Sequence, residues 1–486
     1  MERPMPKKQP NYPGAVIDAN IRAIFAGAGD FIARQIQCDK WTLYAYAIDG
    51  LISGSDMSDY VLKPIREILG AENIHTLYEK ALYGTVYNAV ADPAEDLDTI
   101  ALKLVNGFCV VLFPGVGAIA YEVKTGEKRG LSAPEVENTV KGPKDSFVET
   151  VRSNTSLIRR HLRTPDLRLH EMQVGRRSLT NVTIVSVKGL TDPELVKKMK
   201  KRLEQIDIDG MVSPSSVEEY ITGSRATAFP LLHYTERTDR FCQGILDGRV
   251  GLFVDGLPLG YLAPANLMYL MGSAEDRSRD YMTASAVRLL RYLALVTGLL
   301  LPGVYLALAS FHQAWLPLPM LRSIIESKES VPFTAITEIL GLLIAFELLQ
   351  ESGIHLPQSI GQSVSIVGGI VMGTAAVEAG IISPVALIVV SIAGVCGFVL
   401  PNRDLAQAVR GWRFCIAAIS ALCGLWGTLA GFVILILHLA GLKSLGVSYL
   451  RPLRSVKQGA GVLRPRLKNM KWRDKFLHPQ DRRNQR

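Results

Sequence analysis

A chain of 486 residues is longer than one hydrophobic core usually supports, so more than one domain is expected. The net charge of +9 and the 20% of charged residues hide a segregation: charges recur every few residues up to about Arg279, long apolar runs fill Val287 to Leu442, and the remainder is polar and basic. That pattern excludes a wholly soluble chain, and six scattered cysteines without a Cys-x-x-Cys pair exclude a disulfide framework and a cysteine zinc site.

The first residues, Met1 to Pro13, are polar and hold four prolines, and no apolar signal core follows them, so the first domain is predicted to stay cytoplasmic. An internal repeat then organises the soluble half. Trp41–Leu51 followed by a helical stretch over Ser58–Leu69 matches Asn181–Leu190 followed by Pro193–Ile206. Further on, Gly107–Gly115 with its continuation matches Gly248–Gly256 with its own. The spacing from Gly50 to Gly107 is 57 residues, and from Gly189 to Gly248 it is 59. Each copy reads as strand, helices and β-hairpin, with Pro114-Gly115 and Asp255-Gly256 as turns. The expected layout is a first α/β subdomain over 15–124, a linker over 125–144 and a second α/β subdomain over 145–280.

Three local patterns in this half mimic sites. Gly115-Val-Gly117-Ala-Ile-Ala120 imitates a dinucleotide fingerprint, but a returning strand follows where a helix is needed. Asp207-Ile-Asp209-Gly210 lacks the closing Glu of a calcium loop. His161, His170 and His233 have no partner at metal-ligand spacing and read as surface or hydrogen-bonded residues. No metal or cofactor is expected.

From 287 to 442 an all-α polytopic membrane domain of four or more spans is predicted. Val287–Phe311 is long enough to cross a bilayer, with Arg288 and Arg291 at its start and a kink at Pro302-Gly303. Ile360–Ile382, Pro384–Leu400 and Phe414–Leu442 are further candidates. Phe333–Gln350 carries two acids, Glu338 and Glu347; at about 2.5–3.5 kcal/mol for a mid-bilayer carboxylate, it reads as interfacial, re-entrant or packed inside a bundle. Four crossings are the preferred count. They would put Arg403, Arg410 and Arg413 outside, against the usual charge bias; six crossings would need Phe333–Gln350 to span and the last segment to split at Gly424 to Gly431.

Ser359–Gly380 is the most informative stretch. Gly361, Ser365, Gly369 and Gly373 recur every four residues, giving one face of small side chains. The pattern alone favours close helix packing. The functional alternative is a permeation path, with Gln362, Ser365, Gly369, Gly373 and Glu378 as candidate contacts. The last segment, 443–486, carries thirteen Lys or Arg against Asp474 and Asp481. Directly after a membrane segment, it reads as a cytoplasmic anchor for anionic lipid headgroups, with no nucleic-acid partner expected.

Taken together, Gly142-Pro-Lys-Asp-Ser-Phe-Val-Glu149, Asn154-Thr-Ser-Leu-Ile-Arg-Arg160, Gly175-Arg-Arg-Ser178, Tyr234-Thr-Glu-Arg237, Arg288-Leu-Leu-Arg-Tyr-Leu293, Phe346-Glu-Leu-Leu349, Gly361-Gln-Ser-Val-Ser-Ile-Val-Gly368 and Gly446-Val-Ser-Tyr-Leu450 resemble the GerA-type spore germination proteins, over roughly Ile21 to Leu453. The resemblance implies an A subunit of a nutrient receptor in the spore inner membrane. Its implied partners are a permease-like B subunit, a lipoprotein C subunit and further copies of itself in a cation-conducting ring. A paralogous branch of the family acts as a nutrient-independent amplifying channel. A secondary transporter is the alternative class, but no convincing inverted repeat supports it. No nucleophile–base pair supports an enzyme.

Overall fold

The computed structural model describes residues 11–84, 86, 90–124, 134, 137, 139, 141–211, 213–223, 226–354, 373–450 and 462–484. The chain divides into two units. The first comprises 1–224, 232–264 and 473–484; the second comprises 225–231, 265–472 and the last two residues.

In the first unit, the strand-forming runs pair into two five-stranded antiparallel sheets of identical strand order. The first takes β1 (Phe31–Cys38), β2 (Trp41–Ile48), β3 (Ala91–Ala94), β4 (Phe108–Phe113) and β5 (Gly117–Glu122) in the order β1-β2-β4-β5-β3. The second takes β6 (Leu167–Val174), β7 (Thr180–Val187), β8 (His233–Thr235), β9 (Val250–Val254) and β10 (Gly260–Ala263) in the order β6-β7-β9-β10-β8. The central register agrees as well. Tyr44 faces Leu112 and Tyr46 faces Val110 in the first sheet. Thr183 faces Phe253 and Val185 faces Gly251 at the corresponding places in the second. The duplication therefore extends to backbone pairing.

Continuous apolar strands follow from helices on both faces. Period-two alternation sends Leu43, Ala45, Cys109, Val111 and Ile119 to one side, against Met57, Val61, Ile65 and Leu77. Tyr46, Ile48, Val110, Leu112 and Ala120 go to the other, against Ile21, Ile24, Ile100 and Leu104. Helices α1 (Asp18–Ile24), α2 (Ile74–Tyr83) and α3 (Leu97–Val105), together with the helical stretch over 54–66, supply these layers. The Asn73 carboxamide caps α2 by accepting from the Thr76 amide at 2.7 Å.

Helices α4 (Val151–His161), α5 (Pro193–Glu204) and α6 (Thr238–Leu246) clothe the second sheet. Gly251 stands where the first copy has Val110. A Cβ there would lie 2.3 Å from Phe241 Cζ, so the glycine admits the Phe241 ring, itself stacked on Phe253 with 4.6 Å between centroids. The C-terminal residues 473–484, part of the basic segment read above as an anchor for lipid headgroups, belong to this unit. Leu477 is fully buried, the Gln480 amide donates to Leu190 O at 3.0 Å, and Arg473 Nε donates to Leu246 O at 2.7 Å.

The second unit is a helical bundle of α7 (Tyr281–Ser310), α8 (Leu318–Lys328), α9 (Ala335–Ile354), α10 (Pro384–Phe398) and α11 (Arg403–Gly441), followed by a tight hairpin at Lys443–Ser448. Side-chain caps start several of these helices: Asp280 for α7, Ser383 for α10, Asn402 for α11. Phe333–Gln350 lies largely within the regular 20-residue α9.

The larger departure is at Gly424. Its backbone is non-helical (φ 62, ψ −143), a conformation that favours glycine. Beyond it the chain reverses. Ser420 Oγ and Thr428 Oγ1 are 2.7 Å apart, and a Cβ on Gly431 would lie 3.1 Å from Ile416 Cγ1. Phe414–Leu442 is thus part of an antiparallel helical hairpin with limbs 403–423 and 425–441, and the single continuous span expected there is corrected.

Candidate functional site

Three family-like motifs of the soluble half converge on one another. Phe147 N donates to Glu236 O at 2.8 Å, and Arg237 Nη2 donates to Pro143 O at 3.1 Å. Asn154 carries both a donor and an acceptor to the Val148 backbone. Asp145 accepts from Thr238 Oγ1 at 2.8 Å and pairs with His161 Nε2 at 2.7 Å. The His161 hydrogen bond holds the Asp145 carboxyl down at about 2, and the same bond raises the imidazole. Arg159 spans the two subdomains, donating from Nε and Nη2 to Asp30 at 2.7 and 2.8 Å with both groups buried. These contacts build architecture.

The false sites resolve similarly. Gly115-Val-Gly117 is the β4–β5 turn. Asp207 takes a two-point contact from Arg176 and Asp209 pairs with Arg177 at 3.5 Å. His233 is buried, accepts from Arg240 Nε at 2.8 Å, and is pushed towards its neutral form by burial. Among the described residues, no group of three or more His, Cys, Asp or Glu could hold a metal.

The bundle holds more unusual chemistry. α7 and α11 are long and apolar enough to cross a membrane by length and composition. Taken as limbs, α11 supplies 21 and 17 residues, roughly 30 and 25 Å of helix. Small residues set the packing: a Cβ on Gly298 would meet Cys396 Cβ at 2.9 Å, and one on Gly394 would meet Phe346 at 2.8 Å. Ser420 Oγ donates to Gly303 O at 2.6 Å, beside Pro302, in a region where free backbone carbonyls are costly.

Among the described residues, those selected from the sequence do not gather. Gln362, Ser365 and Gly369 lie outside the described residues. Gly373 lies in the described helical residues 373–378 and is packed against Leu387, 3.2 Å from where its Cβ would stand. Glu378 is exposed near the end of that turn, which Gly380 (φ 64) terminates. Glu347, half exposed, sits 3.5 Å from Arg410 Nε, and Arg410 also donates to Gln350. Arg413 is buried and donates to Ala393 O at 2.9 Å.

Glu338 is different. Its side chain is fully buried, Oε2 accepts from Ser383 Oγ at 2.9 Å, and Lys328 Nζ lies 3.8 Å away. Ser383 and Lys328 were not singled out from the sequence; the Ser383-Pro384 pair that caps α10 is the signal that could have flagged the first.

Comparison with known proteins adds what geometry alone does not. The model of the Bacillus/Clostridium GerA spore germination protein family matches residues 19–476. Spore germination protein KA of Bacillus subtilis (strain 168) is 32% identical over 430 residues, 88% of this chain and 79% of that protein. The uncharacterized membrane protein YfkQ of the same organism is 32% identical over 441 residues, 90% of this chain and 86% of that protein. A crystal structure of the N-terminal domain of the A subunit of the Bacillus megaterium spore germinant receptor GerK3 aligns with 51% of this chain and 92% of its own, at 26% identity and a TM-score of 0.40.

Proposed function

The chain belongs to the Bacillus/Clostridium GerA spore germination protein family, and from that premise we propose that it is the A subunit of a nutrient-sensing germinant receptor, forming or gating a cation path in the spore inner membrane. The observation that carries the reading is the extent of the match, 19–476, which takes in both the α/β unit and the helical bundle. A relative kept only for its soluble domain would not match through the bundle. The proposed partners are a permease-like B subunit, a lipoprotein C subunit and further copies of this chain in a ring. Exposed Lys468 and Lys471 are proposed to face anionic headgroups.

Bundle connectivity supports a topology. α7 carries the chain from one end to the other; α9 and α10 both run back, since Glu338 meets Ser383 while Phe346 meets Gly394. The first limb of α11 runs with α7, as Ser420 meets Gly303 and Gly424 meets Phe311. Gln350 of α9 meets Arg410 at the end that holds Arg403, whereas Gly380 lies by Ser330 at the other. Arg403, Arg410 and Arg413 therefore lie at the end of the bundle where α7 begins, the end that the charge bias favours as the inner side.

Conduction is proposed to run along the face bearing Gln362, Ser365, Gly369, Gly373 and Glu378. The test is complementation. Spores lacking this subunit, supplied with the wild type, should regain nutrient-triggered release of monovalent cations; spores supplied with Gly373→Leu should not. Normal release from the variant would remove that face from the path.

The break at Gly424 favours a second reading, a secondary transporter, because transporters place broken helices at their substrate sites. Against it, Gly424 packs on Phe311 and His312 at the end of α7, not midway along the bundle. Tracer uptake by this subunit alone in liposomes would favour the transporter. Cation release without any nutrient would favour the amplifying branch.

A further inference from the structure

We propose that Glu338, Ser383 and Tyr305 form a binding site for a monovalent inorganic cation, filled in this structure by the tethered ammonium of Lys328.

Three observations lead there. First, Glu338 is an incompletely satisfied buried acid. Oε2 accepts from Ser383 Oγ at 2.9 Å, but Oε1, also buried, has no hydrogen-bond partner among the described residues. The hydroxyl of buried Tyr305 lies beside the same pair, within electrostatic range of Glu338 and within reach of Ser383. A buried oxygen left unpartnered is costly, most of all on a charged group, unless something fills the gap.

Second, the donors suit a hard cation. A carboxylate and two hydroxyls are all oxygen, the ligand type of alkali and alkaline-earth ions. A lone carboxylate neutralises one positive charge, so a monovalent ion is matched and a divalent ion leaves a buried excess. Glu338 sits in the first turn of α9 and Ser383 caps α10, so both groups stand at helix N-termini.

Third, the present occupant can leave. Lys328 Nζ lies 3.8 Å from Oε2, beyond hydrogen-bonding distance, and its side chain keeps 23% of its exposure. It also lines an open groove of about 430 Å³ with Gln313, Glu326 and Glu329, through which an ion from solvent could replace it. The ammonium is thus a built-in competitor, and swinging it into the groove exposes the site.

The inference concerns equilibrium binding and stands whether or not the chain conducts. Full-length protein in detergent is equilibrated with radioactive rubidium at constant ionic strength, using N-methylglucamine as the inert cation. Lys328→Met should bind rubidium about tenfold or more tightly than wild type, since the competing state is removed. Potassium should displace it. Adding Glu338→Gln to that variant should abolish binding. Should the double variant elute as aggregate, Lys328→Met with Ser383→Ala is used, and weakening of several-fold is expected. Binding by Lys328→Met no tighter than wild type, or unchanged by the second substitution in folded protein, overturns the site.

Discussion

Ser420 and Thr428 touch through their hydroxyls at 2.7 Å, although eight residues of straight helix would hold them about 12 Å apart. The contact depends on Gly424 and on the absence of side chains at Gly427 and Gly431; a Cβ on Gly427 would lie 2.4 Å from Ile419 O. In a background with Cys415 and Cys423 changed to Ser, the pair Ser420→Cys with Thr428→Cys should therefore crosslink within one chain under mild oxidation. Peptide mass spectrometry reads the result. Thiols that stay alkylatable in folded protein would restore a continuous helix.

Asp30 and Arg159 predict an asymmetric cost. Asp30→Ala leaves a buried guanidinium without its carboxylate and should destabilise by about 3–5 kcal/mol, whereas Asp30→Ala with Arg159→Met should cost less than the single change. Thermal unfolding of the detergent-solubilised protein, followed by loss of β-sheet signal, measures both. Equal costs would mean that the pair contributes packing only.

The second subdomain should not accept the first subdomain's residue at Gly251. Gly251→Val forces a side chain into the space of Phe241 and Ile245 and should destabilise by about 1–3 kcal/mol or more, measured in the same assay. Val110→Gly in the first copy should also destabilise, by cavity formation.

The docked C-terminal segment should respond to pH. Burial, followed by the nearby Asp247, raises the Asp474 carboxyl to about 7, with Arg249 acting in the opposite sense. A raised acid binds its proton more tightly when docked. Docking is therefore strongest near and below the ordinary aspartate value, weakens as pH climbs towards about 7, and levels off above it. Hydrogen exchange at Leu477 and Gln480, corrected for intrinsic rates, should show less protection at pH 8 than at pH 5.5. Asp474→Asn should flatten that difference; an unchanged difference would place the titration elsewhere.

The duplicated α/β unit was legible because β2, β4 and their counterparts are apolar on both faces, and two helical layers impose that. β1 and β3 were not. β1 exposes Arg34, Gln35 and Gln37 as an edge strand, and β3 carries Pro93, which an edge strand tolerates and an interior one does not. In the bundle, the split at Gly424 was legible only as the less favoured six-crossing alternative, because no charge or proline marks it and its neighbouring glycines read equally well as a packing stripe. The cost of burying Glu338 was visible in the sequence. Its partner Ser383 lies 45 residues away, and such pairing is decided by helix direction, which periodicity does not encode.

The central claim is that this chain carries a nutrient-controlled cation path. The direct measurement is conductance across planar bilayers holding this subunit reconstituted with its B and C partners, before and after nutrient addition. The account predicts a monovalent-cation current that rises on addition and is lost with Gly373→Leu. A current absent with all three subunits correctly inserted, or one that ignores both nutrient and substitution, would contradict it.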